Sequence, residues 1–421
     1  MSRRNLKEVS DLITKGTTPS SLGCEFVNEG VNFIKSESIS DSKFLNISIY
    51  EHIDEETNNK LKRSSLKEDD LLFSIAGAYL GKMAIVQAHD LPANTNQAVG
   101  IVRLNTDKVD INYIYYYFSQ KSINSFINKL SSQSSQPNLN LDLLGKLEFE
   151  CKDLLTQKSI AKVLSDLDTK IELNNRINRE LEAMAKTLYD YWFVQFDFPD
   201  ANGNPYKSSG GKIVYNAELK REIPEGWEVK KLSQIANITT GKLDSNAEVL
   251  GGKYYFYTCA ENPTRTDSFA FDDSVILVAG NNASGNFHIN RYSGKFNAYQ
   301  RTYVITAKEE NYLHYLYQVL ERQLKILKTR GQGSQTKFLT ISMLTDISIF
   351  KTDISTIEQF HKIVNPLYLM QQNVLNENQQ LSELRDWLLP MLMNGQVTVK
   401  GTEEKLSMAA EPGVEYKKSR T

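Results

Sequence analysis

The chain has 421 residues, 40% of them hydrophobic and 24% charged, with a formal net charge of −2 and a pI of about 6.3. Such a length allows two or three domains with separate cores, and the charge balance excludes a uniformly basic nucleic-acid coat while permitting local basic faces. No run of about 18 apolar residues occurs, so no membrane span is expected.

The opening MSRRNLKEVSDL lacks the apolar core and cleavage site of a secretory signal. Cys24, Cys151 and Cys259 and the five histidines are scattered without metal-ligand spacing, so no metal site is expected and the thiols are read as reduced, in a cytoplasmic setting.

Residues 1–152 read as a mixed globular unit. The runs LLFSIAG from Leu71, MAIVQA from Met83 and AVGIVRL from Ala98 predict short strands between polar and glycine turns. Between the first two lies GAYLGKM, with Gly77, Gly81 and Lys82. A phosphate loop requires G-x-x-x-x-G-K-[ST]; here the glycines are one residue too close, and Met83 replaces the hydroxyl. A second copy decides against a nucleotide. DDLLFSIAGAYLGKMAIV from Asp69 is echoed by DDSVILVAGNNASGNFHI from Asp272, which aligns Gly77 with Gly280, Gly81 with Gly285 and the lysine with Asn286. The stretch is read as a repeated turn, with Asp69–Asp70 capping a turn.

INYIYYYFSQKSINSFINKL from Ile111 predicts one amphipathic helix, whose Tyr113, Tyr117 and Phe118 are read as core. The polar loop SSQSSQPN follows. Over 153–197, mostly apolar residues recur at 4-3 spacing: Ile160, Leu164, Leu167, Ile171, Asn174, Asn178, Leu181, Ala185, Leu188 and Trp192. Such a seam predicts a coiled-coil helix, its mid-seam asparagines fixing register and partner. Residues 198–226, rich in Gly, Asn, Ser and Pro, read as a linker.

The second copy follows in the same order. Residues 227–352 form the second unit, with strands SVILVAG from Ser274 and TYVITA from Thr302, a helix NYLHYLYQVLERQLKILK from Asn311 with Tyr312 and Tyr315 in its core, and the loop KTRGQGSQTK, whose Lys328, Arg330 and Lys337 suit phosphate contact. Residues 353–395 repeat the seam as Phe360, Val364, Leu367, Gln371, Val374, Asn378, Leu381, Arg385, Leu388 and Leu392, before a polar tail, 396–421. NQAVGIV from Asn96 aligns with YQRTYVI from Tyr299, and Ser135-Gln136 with Ser334-Gln335. The expected fold is α+β: two mixed α/β units separated by two long helices in an antiparallel coiled coil, as an internal pseudo-two-fold repeat. Helices of about 35–40 residues would hold the units roughly 50–60 Å apart, beyond one turn of B-DNA at about 34 Å.

These motifs and their order resemble the DNA-specificity subunit of Type I restriction–modification enzymes. The carriers are DLLFSIAGAYLGKMAIV, NQAVGIV, SSQPNLNLDLL, QKSIAKVLSDLDTKIELNNRINRELEAMAKTLYDYWF and IPEGWEVKKLSQI. Two departures stand out: the first unit lacks the PEGW stretch, and the second has AGNNASGNFHI for AGAYLGKMAIV, so the two units are expected to read different sequences.

The resemblance implies two target-recognition domains, each reading half of a bipartite double-stranded DNA target. The helices would set the spacer and dock two methyltransferase subunits, with restriction/translocase subunits joining that core. The chain itself would be non-catalytic and hold no cofactor; S-adenosylmethionine, ATP and magnesium would belong to its partners, in a bacterial or archaeal cytoplasm. Among the matched motifs, Asn96, Gln97, Gln300 and Arg301 are candidates for base edges or phosphates. Lys82, Ser135, Gln136, Lys328, Arg330, Gln335 and Lys337 are candidates for the DNA backbone, as are Lys15, Lys35 and Lys242. Tyr189, Tyr191 and Phe193, taken as outward-facing near a helix end, are candidates for the partner dock.

Three rival readings compete. An adenine methyltransferase would need [DN]-P-P-[YF], and NPLY at Asn365–Tyr368 lacks the second proline and lies in the helical seam. A nuclease would need a carboxylate pair that recurs with a lysine, and none does. A scaffold that holds two proteins apart without reading DNA remains open on residues alone.

Overall fold

A computed structural model describes residues 2–131, 138–282, 287–330 and 337–399. It divides into two compact units that do not follow the linear order: Met1–Leu173 together with the chain from Glu377, and Asn174–Asn376. Each unit therefore contains one globular domain and half of each long helix. The loop SSQSSQPN, most of KTRGQGSQTK and the chain from residue 400 lie largely outside the described residues.

In the first unit a four-stranded antiparallel sheet runs Ser10–Lys15, Val99–Leu104, Leu71–Ser74, Met83–Ile85. A three-stranded sheet has Val31–Ile34 between antiparallel Glu51–Ile53 and parallel Ala93–Thr95. The core joins Phe73, Val102, Ile114 and Phe118 to Ile160 and Leu164 of the first long helix, Leu154–Tyr189, and to Leu389 and Leu392 of the second, Ile354–Met393. Burial of these side chains away from water supplies the non-directional part of the stability.

GAYLGKM links two strands of that sheet. Gly77 and Gly81 take φ of 78° and 83°, which favours glycine. The Gly81 amide donates to Ser74 O at 2.9 Å and the Lys82 amide to Tyr79 O at 3.0 Å. Those amides are already committed, so the loop cannot cradle a phosphate.

The second unit is built on a six-stranded sheet in the order Ala236–Thr240, Thr302–Ala307, Phe271–Ala279, Ile289–Ala298, Tyr254–Tyr257, Thr264–Thr266. Every pairing is antiparallel except Tyr254–Tyr257 with Ile289–Ala298. Helix Leu313–Arg330 packs on it, with Tyr312 and Tyr315 buried as expected.

One expectation is corrected. The helix from Ile111 breaks into Ile111–Ser119 and Lys121–Ser131, where the Ser119 hydroxyl and the Gln120 side-chain amide donate to Tyr116 O and Tyr117 O. Asp70 caps a turn, accepting from the Lys67 amide and gripped by Arg103 through two 2.7 Å bonds; its counterparts Asp272 and Asp273 lie within a strand, paired with Lys295 and Gly294. The linker carries structure of its own: Ile213–Asn216 and Arg221–Pro224 form a hairpin, and Phe198 stacks on Trp227 at 5.1 Å.

Every seam position named in the two long helices is buried or half-buried. Within the first unit, Asp168 meets Arg385 at 2.7 Å and Lys170 meets Glu377 at 3.3 Å; within the second, Asn178 O accepts from Gln371 at 3.0 Å. Rising numbers on one helix meet falling numbers on the other, so the paired halves are antiparallel. None of the helices, among the described residues, is long and apolar enough to cross a membrane.

The NPLY residues serve packing. Asn365 Oδ1 lies 3.0 Å from His314 Nε2, and the His314 ring stacks on Tyr368 at 4.3 Å and on His361 at 4.9 Å. Burial pulls the pKa of His314 from 6.5 to about 3, and the bond to Asn365 only partly opposes this. The folded ring stays neutral while the unfolded one takes a proton below pH 6.5, so stability is lost as pH falls from about 6.5 towards 3. At pH 5.5 the loss attributable to His314 is about 1.4 kcal/mol. Melting curves at pH 7.0 and 5.5 should show the chain losing roughly 3–6 °C more than a His314→Gln variant does.

Candidate nucleic-acid interface

The two domains share one antiparallel strand order, and each closes it with the same loop. In the first, Gly16 follows strand Ser10–Lys15; its amide donates to Val99 O at 3.4 Å and the Thr17 amide to Thr95 O at 3.2 Å. In the second, the Gly241 amide donates to Thr302 O at 3.0 Å and the Lys242 amide to Ala298 O at 3.1 Å. Both glycines are overrun by backbone: an added Cβ would lie 1.9 Å from Thr95 O at Gly16 and 2.1 Å from Ala298 O at Gly241. Only glycine permits this approach.

A buried asparagine anchors the facing segment in each case. Asn94 accepts from the Thr95 amide at 2.9 Å and donates to Asn58 Oδ1 at 3.0 Å; Asn297 accepts from the Ala298 amide at 3.1 Å and donates to Ser268 Oγ at 3.2 Å. Three residues beyond each asparagine stands an exposed glutamine, Gln97 or Gln300. Sequence reasoning paired the glutamines and passed over the asparagines and the two glycines, although N-x-x-Q recurs in NTNQ and NAYQ.

The glutamines differ in what they hold. Thr18 Oγ1 donates to Gln97 Oε1, which leaves Nε2 as the uncommitted group. Gln300 Nε2 donates to Asp244 Oδ1 at 2.7 Å, which leaves Oε1. Each tip keeps a donor and an acceptor but in different balance, with the whole NH2 free on Gln97 and the whole carbonyl oxygen free on Gln300, so loops of one architecture present different faces to a base edge.

The remaining candidates divide by availability. Lys15, Lys242 and Arg301 are exposed and beside these loops, and Arg63, from the basic run at Lys60–Arg63 that sequence reading passed over, joins them through a 3.4 Å bond to Thr17. Lys35 and Lys82 are half-buried and committed: Lys35 to Glu51 at 2.5 Å and over the Phe26 ring, Lys82 to Asp41 at 3.1 Å. Asn96 turns inward, accepting from the Ala98 amide at 3.1 Å. Ser135, Gln136 and Gln335 lie outside the described residues. So do the side chains of Lys328 and Arg330, which end a helix, and of Lys337, which opens the short strand Lys337–Phe338.

The partner-dock trio is corrected. Tyr189 and Phe193 are buried, and only Tyr191 is exposed. Both follow the buried Ala185 at i+4 and i+8, so Tyr189 lies 6.0 Å from Tyr315, and Phe193 packs 4.6 Å from Tyr315 and 5.0 Å from Phe360; a π-helical turn at Asp190–Val194 ends the helix.

Comparison with known proteins agrees with this duplication. The profile described as Type I restriction modification DNA specificity domain matches residues 1–183 and again 224–377. The chain is 27% identical to the Type I restriction enzyme MjaIX specificity subunit of Methanocaldococcus jannaschii, over 94% of each chain. It is 35% identical over 184 residues to the EcoDI specificity subunit of Escherichia coli, covering 42% of this chain and 40% of that one. A crystal structure of the Type I restriction-modification S subunit from M. genitalium superposes with a TM-score of 0.55 at 18% identity, over 93% of this chain and 95% of the other, which shows a shared fold.

Substituting either loop glycine tests the shared construction. Gly16→Ala and Gly241→Ala should each destabilise by more than the ~1 kcal/mol of an average substitution, read by thermal denaturation. Gly145→Ala, whose added carbon would meet Ile13 at an ordinary 3.5 Å, is the matched control and should cost less.

Proposed function

The chain belongs to the Type I restriction–modification DNA specificity family, and from that premise we propose that it is the subunit through which such a complex selects its DNA. Each domain reads one half of a bipartite, asymmetric target in the major groove. The two long helices set the spacer and carry the surface on which two methyltransferase subunits dock, and restriction/translocase subunits join through that core. The chain contributes no catalysis; S-adenosylmethionine, ATP and magnesium are used by its partners, in the cytoplasm.

The observation that carries this reading is the doubled loop. A glycine locked under a carbonyl and a buried asparagine hold an exposed glutamine in each domain, flanked by uncommitted cations: Lys15 and Arg63 in one, Lys242 and Arg301 in the other. Rigid support of a side chain that can both donate and accept is what base-edge discrimination requires. The cations beside it suit phosphates, which position without specifying.

The test is long-read methylation mapping after co-expression with the cognate methyltransferase. A bipartite adenine-methylated motif with a fixed gap is expected. Gln97→Ala should relax one half of it and Gln300→Ala the other, each by about ten- to a hundredfold, the range of a lost glutamine–base contact. Methylation that does not depend on this chain, although the partner is bound and soluble, would leave the scaffold reading in its place.

A further inference from the structure

In each unit a buried polar node ties the domain to both long helices. In the first unit the node is Asp168, of which only 6% is exposed. Tyr116, from helix Ile111–Ser119 of the domain, donates its hydroxyl to Asp168 Oδ2 at 2.5 Å. Arg385, from the second long helix, donates from Nη1 to Asp168 Oδ1 at 2.7 Å. Asp168 itself belongs to the first long helix, so one carboxylate joins all three elements.

The second unit solves the same problem with different chemistry. Arg291 projects from sheet strand Ile289–Ala298 and donates from Nη2 to Gln371 Oε1 at 2.8 Å. Gln371, on the second long helix, donates in turn to Asn178 O on the first at 3.0 Å. The guanidinium lies 3.0 Å from the Tyr368 ring centre and 4.4 Å from that of Tyr317. Its Nε is buried with no hydrogen-bond partner, and among the described residues no carboxylate bonds to it. Burial of that kind is costly, and an apolar residue of similar volume would be cheaper. Directional bonds, unlike apolar contacts, fix an orientation.

We infer that Asp168 with Arg385, and Arg291 with Gln371, are positioning residues that fix the angle of each domain on the helices and thereby set which spacer length the complex accepts. The inference rests on the specificity-subunit reading above. B-DNA advances about 3.4 Å and turns about 34° per base pair. To reject a spacer one pair longer or shorter, each domain must be held more tightly than that on its helices. The apolar seam can supply adhesion; the bonded nodes supply the angle.

The experiment uses the full chain co-expressed with its methyltransferase partner, on a plasmid set carrying both half-sites separated by the native gap or by one pair more or less. Wild type should methylate the native gap at least a hundredfold better than its neighbours. Arg291→Met should narrow that preference to about tenfold or less, with the half-site sequences unchanged, and Arg291→Lys, which keeps a cationic donor, should restore part of it. Gln371→Leu leaves the cation in place and cuts its link to both long helices; it should behave like Arg291→Met and serves where the latter fails to fold. Unchanged gap preference in a folded Arg291→Met or Gln371→Leu complex overturns the inference, as does altered half-site sequence, or loss of methylation equally at all gaps. Failure of the underlying reading appears differently, as wild-type methylation indifferent to the presence of this chain.

Discussion

The structure depends on a clasp that occurs twice. Ser2–Asn5 pairs antiparallel with Glu148–Cys151, and Glu228–Lys231 pairs in the same way with Ser348–Lys351. The same next bond follows each ladder: the Leu6 amide donates to Leu147 O at 3.1 Å, and the Leu232 amide to Ile347 O at 2.9 Å. The clasp brings the beginning of each domain beside the strand that feeds its long helix. A domain is thereby a closed excursion whose chain leaves and rejoins the helical frame at one place. Its interior can be rebuilt without disturbing the frame, because the backbone bonds of the clasp do not depend on side-chain identity.

That freedom is visible in the two interiors. They share one strand order, Ser10–Lys15, Val99–Leu104, Leu71–Ser74, Met83–Ile85 against Ala236–Thr240, Thr302–Ala307, Phe271–Ala279, Ile289–Ala298. They differ in continuity: Met83–Ile85 and Ala93–Thr95 are separate strands in the first domain, where the single strand Ile289–Ala298 makes both pairings in the second. What persists is backbone geometry: the clasp, the glycine overrun by a carbonyl, and the sheet order. The side chains carried by the second of these then diverge. Gln97 is held by a threonine hydroxyl and Gln300 by a carboxylate, so the wholly free group is the NH2 in one and the carbonyl oxygen in the other. A conserved support with an exchangeable tip lets one architecture serve unlike targets.

Much of this was legible in the sequence wherever the signal was local and periodic. The 4-3 seam located both long helices, and no residue named in it is exposed, because helical spacing and burial are linked directly. Self-similarity exposed the duplication and dismissed the phosphate loop. The failures share a cause, which is tertiary context. Phe193 and Tyr189 turn inward because the aromatic core of the second domain, Tyr315 above all, packs against them. The helix from Ile111 is cut by two side-chain bonds to its own carbonyls, which composition does not announce. Asp272 and Asp273 copy the letters of Asp69 and Asp70 but sit in a strand, since a long hairpin supersedes the turn. Lys35 and Lys82 read as free cations, whereas carboxylates distant in sequence hold them.

The near-neutral charge fits a reader that discriminates more than it adheres. Neutralising several phosphates yields much of the affinity of ordinary DNA-binding proteins, and that term is blind to sequence. Beside the paired loops this chain has only Lys15 and Arg63 in one domain, and Lys242 and Arg301 in the other, as cations not committed elsewhere among the described residues. On the proposed reading, backbone affinity is supplied by the subunits that assemble on the chain, and the choice of site rests on the two glutamine tips and on the angle at which each is held. Specificity carried in this way stays silent until the complex that acts on the DNA is assembled.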